Sequence, residues 1–187
     1  MRRIWREWQW HTQRQALRDL ELLVLDVDGV LTDGGLWLDA HGQLQKRFDV
    51  RDGLGLRLLQ GVGIQLAFLS GGQAGATEVR AKQLDIHECL VGIKDKPLAL
   101  EALQQRVGVT PSTTAFLGDD LNDLAVRPCV RLLLAPADAC RPLRRQADGV
   151  LHRKGGCGAV RELAERMLQA KGAWDALRAN GWRDRND

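Results

Sequence analysis

Two aspartates one residue apart, Asp26 and Asp28, follow the unbroken apolar run Leu22-Leu23-Val24-Leu25. In extended chain, side chains two apart point the same way, so both carboxylates can enter one site. Paired carboxylates repel unless a cation lies between them, and hard oxygen ligands suit magnesium. Three further positions carry reactive groups: Ser70-Gly71, Lys96, and the string Gly118-Asp119-Asp120-Leu121-Asn122-Asp123. Each also has a plain reading. An isolated D-x-D is most often a solvated turn, a serine can cap a helix, a lysine is usually on the surface, and Asp120 and Asp123 suit a helix N-terminus. What separates the two readings is whether the clusters converge.

The elements around them predict that they do. Leu22–Leu25 reads as a strand buried on both faces, ending at the acidic pair, where Gly29 permits a sharp turn. Residues 35–50 alternate loosely about His41-Gly42 and read as a β-hairpin. A helix near 54–60 follows, then a strand over 64–69 that delivers Ser70-Gly71-Gly72, and a helix over 76–84. Cys89–Val91 is a short strand; a helix with Pro97 in its first turn runs from Lys96 to Val107. Strands over 115–117 and 130–134, a helix over 138–146, a small strand near Val150 and a helix over 159–170 complete the series. Strands alternating with helices give an α/β fold, a parallel sheet with helices on both faces. In such a sheet the strand ends share one edge, and ligands bind there. Asp26/Asp28, Ser70-Gly71 and Asp119/Asp120/Asp123 are all expected at that edge.

The chain has 187 residues, 44% of them hydrophobic, enough for one sizeable core; residues 1–187 are expected to form a single domain. Within it, 1–20 is an N-terminal extension, 35–50 the hairpin flap and 167–187 a C-terminal tail. Basic and acidic residues number 27 and 24, for a net charge of +3, which argues against an obligate nucleic-acid binder. No apolar run approaches a membrane span. The four cysteines form no C-x-x-C pair and read as reduced thiols of a cytoplasmic protein. The four histidines form no pair at metal-ligand spacing.

The string Asp26-Val27-Asp28-Gly29-Val30-Leu31-Thr32-Asp33-Gly34 resembles the first motif of the haloacid dehalogenase (HAD) superfamily of phosphatases. The order D-x-D, Ser, Lys, G-D-D-x-x-D matches the superfamily's four motifs across roughly residues 22–165. Phe48-Asp49-Val50-Arg51-Asp52-Gly53-Leu54-Gly55 and Gly155-Gly156-Cys157-Gly158-Ala159-Val160-Arg161-Glu162 are similar to its small sugar-acid branch, to which the 3-deoxy-D-manno-octulosonate 8-phosphate (KDO 8-phosphate) phosphatases belong. The resemblance implies a HAD-like (Rossmann-like) sheet and a magnesium-dependent phosphatase. It implies Asp26 as nucleophile, forming an aspartyl-phosphate, and Asp28 as general acid and base. Asp26, the Asp28 backbone carbonyl and Asp119 would bind Mg2+, supported by Asp120 and Asp123. Ser70 and Gly71 would hold phosphoryl oxygens, Lys96 would neutralise them, and Arg51 and Arg80 would help to bind substrate. Positioning and charge stabilisation of this kind suffice for phosphoryl transfer.

The substrate that the resemblance implies is KDO 8-phosphate, with a nonulosonate (sialic-acid type) 9-phosphate as the alternative. A phospho-accepting receiver domain is the alternative of another class, but it lacks the late G-D-D-x-x-D. One departure stands out: the branch usually carries arginine directly after the Ser/Thr-Gly of the second motif, and this chain has Gly72. Arginine restored there is expected to improve use of anionic sugar acids. Neither gap between motifs holds a cap domain, so the site is expected to be open within one subunit, and the family closes it by forming a homotetramer. Six tryptophans, Trp5, Trp8, Trp10, Trp37, Trp174 and Trp182, fall in the extension, the hairpin and the tail. They are expected to make contacts, with Trp37 placed between subunits.

Overall fold

The computed structural model describes residues 9–182. Its centre is β1 (Leu22–Leu25), every residue of which is buried. The unbroken apolar run follows from its place: Leu23 and Leu25 enter one core cluster while Leu22 and Val24 enter another, on the opposite face of the sheet. β1 pairs in parallel with β4 (Gln65–Leu69) on one side and β6 (Thr114–Leu117) on the other. The full order is β5-β4-β1-β6-β7-β8, where β5 is Glu88–Leu90, β7 Leu132–Ala135 and β8 Gly149–Val150. All five neighbouring pairs are parallel.

The register places the chemistry. Leu25 stands level with Phe68 of β4 and Leu117 of β6. The residues just beyond, Asp26, Ser70 and Asp119, therefore leave the sheet together at its carboxyl edge. The Asp26 N–H donates to the Leu117 carbonyl at 2.9 Å, carrying the pairing one residue past the strand.

One face of the sheet is covered by α1 (Arg14–Asp19), α2 (Val50–Gln60) and α7 (Ala159–Ala170), whose Leu17, Leu56, Leu59, Val160, Leu163 and Met167 fill the larger cluster. The other is covered by α4 (Lys96–Val107) through Leu100 and Leu103. α3 (Ala76–Gln83), α5 (Leu121–Leu124), α6 (Arg141–Gln146) and α8 (Trp174–Asn180) complete the helices. Between β1 and α2, β2 (Trp37–Leu38) and β3 (Leu44–Gln45) pair antiparallel as a separate two-stranded hairpin.

Some boundaries differ from the sequence expectation. α2 begins at Val50, because Asp49 accepts the Arg51 N–H and caps it, so Arg51 and Asp52 lie in its first turn. α7 spans 159–170 as expected, and its Met167 is fully buried, so the tail starts beyond that residue. Residues 174–180 then form a helix whose Trp174 and Leu177 pack on the larger cluster. Trp5 and Trp8 lie outside the described residues.

Candidate active site

A cleft of about 440 Å3 opens at the carboxyl edge of β1, β4 and β6. Asp26, Asp28, Gly29, Ser70, Gly71, Gly72, Asp119, Asp120 and Asn122 are among its lining residues. Three of the predicted clusters thus meet in one place. Gly29 makes the convergence possible: its φ is +82°, and any Cβ there would overlap the Asp119 carboxylate.

Carboxylate oxygens of Asp26, Asp119 and Asp123 lie within 4.8 Å of one another. They do not have equal roles. Asp123 is fully buried and already committed: it accepts from Lys96 Nζ at 2.6 Å and from the backbone N–H groups of Asp119 (2.8 Å) and Asp120 (3.3 Å). It shapes the loop that carries Asp119. Lys96, at the start of α4 and 3% exposed, reaches Asp26 Oδ1 at 3.2 Å as well. The surface-lysine reading of Lys96 therefore fails, and so does the capping reading of Ser70. Ser70 is buried and its Oγ accepts the Gly72 N–H at 3.0 Å inside the loop, six residues short of α3.

Electrostatics single out the pair facing each other across the β1 and β6 ends. Burial, and then the nearby Asp123, push the Asp26 carboxyl up to about 6, although Lys96 pulls it down. Burial, followed by the charges of Asp26, Asp123 and Asp120, pushes Asp119 up to about 7. Two carboxylates desolvated by burial, one of them raised further by the other's charge, form a donor set suited to a hard divalent cation. Asp26 and Asp119 supply it by side chain. The side chain of Asp28 also lines the cleft but stands apart from this pair, held by Lys46, whose Nζ lies 2.9 Å from it.

Arg51 and Arg80 are not brought into the cleft. The Arg51 guanidinium pairs with Asp49 at 2.6 Å and lines a separate groove with Arg161 and Glu165. Arg80 lies over the Phe48 ring, 5.6 Å from its centroid, and donates to Gln83. Sequence reasoning missed Lys46, Thr77 and Asn122. Asn122 stood inside a quoted motif. Lys46 gave no signal, since its partners lie 18 and 31 positions away.

No family model matches the chain. Individual proteins do. The chain is 40% identical over 159 residues to the 3-deoxy-D-manno-octulosonate 8-phosphate phosphatase KdsC of Haemophilus influenzae, covering 85% of this chain and 88% of that one. It superposes on the KDO 8-phosphate phosphatase of Moraxella catarrhalis, solved with magnesium, phosphate and KDO, with a TM-score of 0.88. That pair shares 35% identity, over 92% of this chain and 99% of that one. For the Yersinia pestis enzyme the TM-score is 0.84 and the identity 38%, over 87% and 88% of the two chains. With such identity spread over nearly the whole length, and with the acidic pair, serine, lysine and second acidic loop meeting at one sheet edge, the chain belongs to the KDO 8-phosphate phosphatases of the HAD superfamily.

Proposed function

We propose that this protein is a magnesium-dependent phosphomonoesterase that hydrolyses KDO 8-phosphate to KDO and inorganic phosphate. The observation that carries the reading is the cleft itself. Asp26, Asp28 and Asp119 face the Ser70-Gly71 loop in a chain 40% identical to a KDO 8-phosphate phosphatase. The comparisons do not favour a nonulosonate 9-phosphate phosphatase or a receiver domain.

Asp26 is the nucleophile. Its carboxylate forms a bond to phosphorus as the bond from phosphorus to the sugar oxygen breaks, leaving an aspartyl-phosphate. Lys96 keeps Asp26 ionised among its acidic neighbours. Asp28 gives its proton to the departing sugar oxygen, then takes one from the water that attacks phosphorus. As that water attacks, the bond from phosphorus to the Asp26 oxygen breaks, which releases inorganic phosphate and restores the Asp26 carboxylate. The Ser70 hydroxyl and the Gly71 N–H hold phosphoryl oxygens, while Asp123 fixes the Asp119-Asp120 loop through its two backbone N–H bonds. Asp26, Asp119 and the Asp28 carbonyl would hold magnesium, which supplies positive charge against the phosphoryl oxygens when bound. Arg51 and Arg80 take no part in this scheme.

The chain acts as a homotetramer in the cytoplasm. Leu36, Trp37 and Leu38 of the hairpin stand 59%, 66% and 68% exposed, an apolar patch of the kind that marks contact sites. All four cysteines are free, which fits a reducing compartment. No helix among the described residues is long and apolar enough to cross a membrane.

Phosphate release is the test of the substrate. KDO 8-phosphate is expected to be turned over with magnesium and not after chelation, and faster than N-acetylneuraminate 9-phosphate or neutral sugar phosphates. Preference for another member of that panel would reassign the substrate. Release from none would remove the phosphatase reading.

A further inference from the structure

The hairpin sends one side chain into the protein interior. Lys46 directly follows β3, between exposed Gln45 and exposed Arg47, yet its own side chain is 1% exposed. Its ammonium lies 2.9 Å from both carboxylate oxygens of Asp28. It also donates to Thr77 Oγ1 at 3.2 Å, and Thr77 is fully buried in the first turn of α3. Asp28 is different: its side chain is 32% exposed and lines the cleft. Lys46 thus stands behind Asp28, away from anything bound in front.

Stability does not account for this arrangement. Removing an ammonium from water costs several kcal/mol, and a buried ion pair is often no better for stability than apolar residues of the same volume. What the pair does provide is direction. Lys46 holds Asp28, and the Ser70–Gly72 loop packs beside the pair. A Cβ on Gly72 would lie 2.8 Å from Asp28 Oδ2 and 3.5 Å from Lys46 Nζ, so the loop backbone already lies as near as it can.

The geometry points to Lys46 as a positioning residue that aims the Asp28 carboxyl at the leaving oxygen, an inference that rests on the phosphatase reading above. Lys46 touches no substrate and acts through Asp28. A general acid displaced by about 1 Å loses much of its effect, on the order of a hundredfold. Because Lys46 is the hairpin's link to the cleft, the hairpin's position is transmitted to the proton transfer.

Leaving-group chemistry tests this. A sugar oxygen needs a proton as its bond to phosphorus breaks, whereas p-nitrophenolate departs without one. The value of kcat/KM reports the steps up to that departure. With magnesium present, Lys46→Met is expected to lower kcat/KM for KDO 8-phosphate about thirtyfold, within the range for residues that orient an active group. For p-nitrophenyl phosphate the same variant should stay within about threefold of wild type, which also shows that the fold and the nucleophile are intact. Equal losses on both esters would mean a general structural role and would overturn the inference, as would an unchanged value on the sugar ester. Wild-type protein that releases phosphate from neither ester overturns the phosphatase reading, and this inference with it.

Discussion

At Asp26 two effects oppose each other: burial lifts the carboxyl to about 6, and Lys96, 3.2 Å away, favours the ionised form. On the proposed mechanism the nucleophile must be ionised, so Lys96 is part of what would make Asp26 reactive rather than merely buried. Asp26→Asn keeps the shape and removes the nucleophile. It is expected to abolish phosphate release while the circular dichroism spectrum and melting profile remain near wild type. Asp28→Asn keeps the nucleophile but has no proton to exchange, and should lose about a hundredfold in turnover of the sugar ester. Near-normal magnesium-dependent turnover by Asp26→Asn would remove it from the mechanism. Gly72 reverses an expectation. From the sequence, an arginine there looked like a missing substrate contact. In the structure even a Cβ would press on the Asp28 carboxylate at 2.8 Å and on Ser70 Oγ at 3.2 Å. Gly72→Arg is therefore expected to lower kcat/KM for KDO 8-phosphate, by about tenfold or more, through displacement of Asp28. A rise in kcat/KM would show that the loop can yield and that the charge is what matters.

Between elements, the tie that sequence periodicity could not reveal is Asp52. It sits in the first turn of α2, and its carboxylate accepts the Gly158 N–H at 3.2 Å and the Arg161 N–H at 2.8 Å at the start of α7. Burial outweighs those two donors and lifts Asp52 from 3.8 to about 6. The folded chain therefore holds a proton that the unfolded chain has released between about pH 4 and 6. Stability falls as pH rises across that window, by up to about 3 kcal/mol from this one group. Urea unfolding of wild type and Asp52→Asn at several pH values is expected to show the wild-type curve descending relative to the variant. Parallel curves would mean that the backbone donors offset burial and that Asp52 is ionised throughout. The same residue shows where sequence reading stops. The sheet was legible because strands buried on both faces are continuous apolar runs: Leu22–Leu25 and Leu66–Leu69 announce themselves. The site was legible because register puts Asp26, Ser70 and Asp119 at one edge. The partners of Asp52 and Lys46 were not, since a carboxylate 106 positions from its donor leaves no local pattern. Arg51 and Arg80 looked like cleft residues from their proximity to motifs, but capping by Asp49 and stacking on Phe48 take them elsewhere.

Across the whole molecule, the tryptophans outside the sequence-predicted sheet and helices divide into two kinds. Trp10 is 5% exposed; its ring packs where a Cβ on Gly149 of β8 would go, with the Arg166 guanidinium 4.7 Å from its centroid. Trp174 is half-buried, with Arg161 5.8 Å from its ring. Both fold onto their own chain, as apolar surface does when a core is within reach. Trp37 behaves differently. It is 66% exposed on a hairpin of two residues per strand, flanked by Leu36 and Leu38, which are as exposed. A two-stranded hairpin of that size is at most marginally stable in water by itself. This one has an interior anchor in Lys46 and an outer face with no cover from the described residues. Enclosing the hairpin between other copies would bury these three large side chains, which alternate between its two faces, at roughly 1.5–3 kcal/mol each. It would also hold Lys46 against Asp28. Trp37→Ser is therefore expected to weaken assembly, seen as a lower mass by light scattering and sedimentation at micromolar concentration. Turnover of the sugar ester should fall in parallel, with p-nitrophenyl phosphate less affected. A wild-type protein that is monomeric and fully active would exclude the assembly. A Trp37→Ser protein that dissociates without loss of turnover would show that the hairpin joins subunits but does not govern the proton transfer.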